Sequence, residues 1–234
     1  MASILLPRCS SGCSAFRFGI SCVGTETDRN LKWGECKVRI IGGEKRGHRL
    51  AEWHGAGIRP LRDRVRTALF DILGEGVVGA EFLDLFAGTG AVGLEALSRG
   101  ARRATFVDSS GKAVRIIREN IRRLGYQARA EVIQADALEA IRWLARRGRR
   151  FHLAFLGAPY ASDLALRAAA ALGAFPPLWP GALVVVEAFH KTEPPGSYGG
   201  LRLESVRDYG ETRLAFYRYL EGANPPLERP FVRR

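Results

Sequence analysis

The stretch "EFLDLFAGTGAVGLEALSRG", residues 81–100, constrains this chain more than any other. An apolar run leads into Gly88, Gly90 and Gly93 at G-x-G-x-x-G spacing, and helical periodicity follows at once. That order is strand, tight turn, helix, the setting in which the glycines carry meaning. They let the backbone turn sharply and approach a ligand closely. A strand of this kind needs parallel neighbours, and they are legible. "ATFVD" (104–108), "AEVIQAD" (130–136), "FHLAFL" (151–156) and "ALVVVEA" (182–188) read as buried strands. Between them, Val114, Ile117, Ile121 and Leu124 recur at helical spacing, as do Leu138, Ile141 and Leu144, and Leu164–Leu172 is Ala-rich and helical. "LRLESVRDYG" and "TRLAFYRYL" close the pattern as two antiparallel strands. Strand–helix alternation predicts an α/β, Rossmann-like, mostly parallel sheet with helices on both faces.

Ligands of such sheets bind at the carboxyl ends of the strands, where three carboxylates collect. Asp108 ends the second strand twenty residues after Gly88 and can accept hydrogen bonds from both ribose hydroxyls of an adenosine. Asp84 lies four residues before Gly88, where the pyrophosphate of NAD would be repelled and a sulfonium or ammonium attracted. Asp136 ends the third strand on the same rim, within reach of an adenine amino group. The set fits a cationic adenosine ligand, S-adenosylmethionine, better than NAD.

The flanking regions read differently. "VRIIGGEKRGHRL" suggests a small hairpin with glycines at its turns. "RPLRDRVRTALFDIL" reads as a helix with Pro60 in its first turn and Val65, Ala68, Leu69 and Ile72 on its apolar face. Arg59, Arg62, Arg64 and Arg66 crowd its start. Positive charge there opposes the helix dipole, so an anion should compensate. RNA phosphate is the favoured one, against the blander reading of a solvated face. The net charge of +12 points the same way, although 36 basic residues of which only five are Lys also fit a biased genome. Residues 1–37 hold all four cysteines (Cys9, Cys13, Cys22, Cys36), show no period, and read as an unstructured extension: a misassigned start or a transit peptide. The domain is expected over 38–220 and a flexible tail over 221–234. No metal-ligand spacing occurs, and no apolar run is long enough to span a membrane. The expected location is the bacterial cytoplasm, or a plastid if the extension is a transit peptide.

Taken together, "RIIGGEKRGHRL", "RPLRDRVRTALFDIL", "FLDLFAGTGAVGLEALSRGA", "FVD", "FLGAPY" and "YGETRLAFY" resemble the RsmD family of 16S ribosomal RNA guanine-N2 methyltransferases, from about Val38 to Leu220. The resemblance implies a seven-stranded class I methyltransferase sheet with the last strand antiparallel. It also implies S-adenosylmethionine as methyl donor, and a guanine of small-subunit rRNA or a 30S assembly intermediate as acceptor. Carried over by position, Asp84, Phe86, Gly88 and Gly90 hold the methionine part, Asp108 the ribose and Asp136 the adenine end. Arg59, Arg62, Arg64 and Arg66 face RNA, and the chain acts as a monomer.

Two departures from the family pattern matter. Leu61 replaces a Thr. Gly157 and Ala158 replace the Asp and Pro of a loop that would otherwise read Asp-Pro-Pro-aromatic, leaving Ala158, Pro159 and Tyr160 as the catalytic candidates. The guanine amine is a poor nucleophile whose hydrogens need acceptors, and the aromatic stacks on the flipped base; a core Tyr is the plainer reading of Tyr160. Losing the carboxylate is expected to slow methyl transfer roughly 10- to 150-fold. Gly157→Asp with Ala158→Pro is expected to restore it. A non-catalytic assembly factor that binds S-adenosylmethionine and RNA is the alternative function. A DNA adenine methyltransferase is disfavoured by the lack of a separate recognition domain.

Overall fold

The structure is a computed structural model and describes residues 38–51, 61–159 and 162–222. Five helices, α1 (Asp63–Leu73), α2 (Ala91–Ser98), α3 (Gly111–Leu124), α4 (Ala137–Arg146) and α5 (Leu164–Ala174), surround a sheet. Its strands are β1 (Glu81–Leu85), β2 (Arg103–Asp108), β3 (Ala130–Gln134), β4 (Phe151–Leu156), β5 (Leu178–Phe189), β6 (Ser197–Tyr198), β7 (Leu201–Tyr209) and β8 (Thr212–Tyr219). Their order across the sheet is β3-β2-β1-β4-β5-β8-β7-β6. β3 through β5 pair in parallel, and β8 runs antiparallel to both β5 and β7. The sheet thus has eight strands where seven were expected, the extra one being the two-residue β6 at the edge.

Alternation along each strand splits the core in two. Phe82, Phe106, Leu153, Phe155 and Val185 point to the face covered by α1, α2 and α3. Leu83, Leu85, Val107, Ala154, Leu156, Val184 and Val186 point to the face covered by α4 and α5. The central strands are buried on both faces, which is why they read as nearly continuous apolar runs. At Gly93, α2 lies tight against the sheet: a Cβ there would lie 2.3 Å from Cε1 of Phe106. The third glycine of the loop therefore serves packing.

The expected hairpin is present. Ile40 donates to His48 O and Leu50 to Val38 O, with Gly43 and Gly47 at positive φ. Its tip docks on the end of α2, where Glu44 N donates to Ser98 O and the Ser98 hydroxyl donates to Gly42 O. A Cβ at Gly43 would sit 1.9 Å from Ser98 O, so only glycine permits the contact.

The early helix differs from expectation in three ways. It starts at Asp63, with Arg62 as N-cap, rather than at Pro60, which lies outside the described residues. Its buried face is Val65, Arg66, Leu69, Phe70 and Leu73, while Ile72 is exposed. Arg66 is wholly buried and cannot reach RNA phosphate. The anions that balance it are internal: Asp63 at 3.0 Å and the buried Glu95 of α2 at 3.9 Å. Burial lowers the Arg66 pKa, and these two carboxylates oppose that shift. Glu95 also accepts from Ile41 N, Gly42 N and Arg99 Nε, so one carboxylate joins hairpin, α1 and α2.

Residues 1–37 and 223–234, with the four cysteines, lie outside the described residues. Among the described residues no helix is long and apolar enough to cross a membrane.

Candidate active site

The loop after β1 is wound tightly. Phe86, Gly88 and Gly90 all have positive φ, at 62°, 59° and 78°. For Phe86 that conformation is costly. A strained non-glycine residue persists where its surroundings over-determine it, often at a ligand site. Gly90 is the N-cap of α2, and its amide donates to Ala87 O.

Asp84 is buried beneath this loop and accepts from Gly93 N at 2.9 Å. Burial pushes its carboxyl up to about 7; the Gly93 N–H opposes the shift and the nearby Asp108 adds to it. A carboxyl so poised gains its charge cheaply when a cation arrives. Asp108 stands at the end of β2. One of its oxygens accepts from Gly88 N at 2.9 Å and the other from Ser110 N at 2.8 Å. It therefore ties the glycine loop to the start of α3, whose N-cap is Ser110. Asp136 lies beyond the end of β3, which stops at Gln134, and is the exposed N-cap of α4, accepting from Leu138 N and Glu139 N. The three carboxylates lie at the carboxyl ends of adjacent strands, as expected, but each already holds backbone N–H groups.

Sequence reasoning missed Asn120. It is buried on α3, donates to Thr89 O of the glycine loop at 3.0 Å, and accepts from Ala51 N at 2.6 Å. Its isolated place among the apolar residues of α3 was the only available signal.

The second loop follows β4. Gly157 N donates to Leu85 O at 3.3 Å, which sets this loop beside the first. Ala158 is buried and Pro159 exposed; Tyr160 lies outside the described residues. The surroundings of Gly157 contradict the expectation that Asp would fit there. A Cβ at this position would lie 2.7 Å from Phe155 Cε1 and 3.2 Å from Glu187 Oε2. The space is already taken, partly by a carboxylate, so Gly157→Asp brings a clash and a like charge. Of the RNA-facing candidates, Arg62 and Arg64 are exposed, Arg66 is withdrawn, and Arg59 lies outside the described residues.

A parallel sheet ordered in this way, with a glycine loop after its central strand and carboxylates at the neighbouring strand ends, defines a Rossmann-like class I methyltransferase fold. An RNA methyltransferase from Salinibacter ruber, solved with S-adenosyl-L-homocysteine, shares this fold at 18% identity (TM-score 0.50, covering 70% of this chain and 95% of that one). A family profile described as conserved hypothetical protein 95 matches residues 38–218. The chain belongs to this family, the RsmD family that its motifs resemble. YlbH of Bacillus subtilis is 33% identical over 181 residues, covering 77% of this chain and 98% of that protein. Ribosomal RNA small subunit methyltransferase D of Escherichia coli is 37% identical over 131 residues, covering 56% of this chain and 64% of that protein. A hypothetical protein of Thermus thermophilus has a solved structure 38% identical to this chain (TM-score 0.66, covering 76% of this chain and 98% of that one).

Proposed function

We propose that this protein uses S-adenosylmethionine to methylate the N2 amine of a guanine in 16S rRNA. The observation that carries the reading is the adjacency of the two loops. The glycine loop over buried Asp84 and the Gly157–Pro159 loop are joined by the Gly157 N–Leu85 O bond. Acceptor and donor of a methyl group would meet there.

The residues present fit the donor. S-adenosylmethionine supplies an electrophilic methyl group on a cationic sulfonium. Asp84, with its pKa near 7, is suited to a cationic partner and not to a pyrophosphate. Phe86, Gly88 and Gly90 shape the backbone around the methionine part, Asp108 faces the ribose, and Asp136 stands at the adenine end. Ala158 O and Pro159 shape the acceptor side, Tyr160 offers a stacking face for the base, and Arg62 and Arg64 with Arg59 offer charge to phosphate. The names of the relatives support small-subunit rRNA as the substrate class.

The test is methyl transfer from labelled S-adenosylmethionine to 30S subunits prepared from a deletion strain, with mass spectrometry locating the product. A new N2-methylguanine in 16S rRNA is expected. Cofactor and RNA binding with no transfer would instead select the non-catalytic assembly factor, the reading that the bare Gly157 favours.

A further inference from the structure

We propose that Glu187 supplies the carboxylate that the Gly157 loop lacks, accepting the amine hydrogens of the target guanine. The inference rests on the guanine-N2 reading above and deepens it. Its carrying observation is steric. Glu187 Oε2 lies 3.2 Å from the point where a residue-157 Cβ would stand, close enough to serve in place of a side chain there. The register explains how it arrives. Leu156 pairs with Val186 across β4 and β5, so the next residues, Gly157 and Glu187, emerge side by side at the carboxyl edge. Leu85 pairs with Leu156 on the other side, which puts Phe86 on the same edge. Glu187 thus stands on β5 one residue past the last β4–β5 pair, a carboxylate beside the end of β4, although β5 itself runs on to Phe189 along β8. The bare glycine keeps the space clear for it, since a side chain at 157 would displace Phe155 or Glu187.

The chemistry balances. As N2 forms its bond to the methyl carbon, the carbon–sulfur bond breaks with its electron pair left on sulfur. The surplus N2 proton passes to the Glu187 carboxylate and on to water. Before that, hydrogen bonds from the amine to Glu187 Oε2 and to Ala158 O turn the nitrogen lone pair away from the ring. The loss of the loop Asp is therefore a relocation of the acceptor from β4 to β5.

The first test needs no variant. In the presence of S-adenosylhomocysteine, guanosine monophosphate should bind roughly 10-fold or more tightly than inosine monophosphate, which lacks the 2-amino group. Equal binding of the two by the wild-type protein overturns the proposal. Glu187→Gln keeps an acceptor oxygen but no charge, so it should weaken that preference and slow methyl transfer roughly 10- to 150-fold, with S-adenosylhomocysteine affinity unchanged. A folded Glu187→Gln protein that keeps the full preference, or that transfers as fast as wild type, overturns it too. Failure of the activity reading looks different: the wild type transfers no methyl group, yet the guanosine preference is present and Glu187→Gln weakens it, leaving Glu187 as a base-recognition residue.

Discussion

The ligand rim has two halves built on opposite plans. On the β1–β2–β3 side each carboxylate is embedded in its own neighbourhood: Asp84 holds Gly93, Asp108 holds Gly88 and Ser110, and Asp136 caps α4. On the β4–β5 side the loop glycine carries no functional group, and the nearest acid comes from the adjacent strand. In the first half the residues that position the loop are also the ones proposed to face the cofactor. In the second half position and chemistry are separated, with Gly157 giving space and Glu187 giving charge. Substitutions in the first half should therefore couple stability to cofactor affinity, and those in the second should leave the cofactor alone.

The largest effect should come from Asp84→Asn. An amide oxygen can still accept from Gly93 N, but no charge remains for a sulfonium or ammonium. Calorimetry should show S-adenosylmethionine affinity falling by about 2–5 kcal/mol. The same variant should melt higher at pH 8. The sign follows from linkage: the folded Asp84 pKa, about 7, lies above the ordinary 3.8. The folded state then binds more protons between those values, and stability falls as pH rises through that window. Asparagine removes the penalty. In the wild type, cofactor affinity should rise with pH through about 7 as Asp84 ionises. A variant that loses affinity without gaining stability would break the claim that charge at this site is held against the fold.

Asp108→Ala comes next. It removes the acceptor of Gly88 N and Ser110 N, so affinity for S-adenosylhomocysteine should drop by about 1–3 kcal/mol and the melting temperature should drop with it. A loss of affinity alone would separate the two roles that the structure unites.

On the other half, Gly157→Asp should cost about 1–3 kcal/mol of stability in chemical unfolding, since Phe155 must move to admit the side chain. It should also slow methyl transfer, by setting a like charge against Glu187, and leave cofactor affinity unchanged. Faster transfer would restore the simpler view that the loop merely lost its aspartate. The smallest effect belongs to Arg62→Gln with Arg64→Gln. RNA affinity should weaken and the salt slope flatten by roughly 1–2 units of log–log slope. Arg66 is excluded from the set because it is wholly buried, so its removal would disturb the packing of α1 against the hairpin and α2 rather than RNA binding.

The same contrast explains what the sequence revealed. Strands, helices and the glycine loop were legible because their signals are local: apolar runs, helical spacing and glycines at fixed offsets. Asp84 and Asp108 were legible because they stand at fixed distances from Gly88. The Asp63–Arg66 pair has i,i+3 spacing, but the burial of Arg66 depends on Glu95 and the hairpin, which lie on other elements that no spacing rule links to it. Glu187 was passed over inside "ALVVVEA", a stretch read only for its apolar content. Its signal was a single acid interrupting that apolar run, two residues before β5 ends at Phe189. The crowding around Gly157 had no sequence signal, because it depends on the register of β4 against β5.

Asn120 carries a consequence beyond the rim. Its amide oxygen accepts from Ala51 N at the end of the hairpin segment, and its amide nitrogen donates to Thr89 O in the glycine loop. A ligand that stills the loop must then slow the opening of the hairpin, and by reciprocity a docked hairpin must tighten the ligand's grip. The Ala51 amide becomes a remote clock for occupancy: its hydrogen exchange should slow when S-adenosylhomocysteine binds, and Asn120→Ala should uncouple the two.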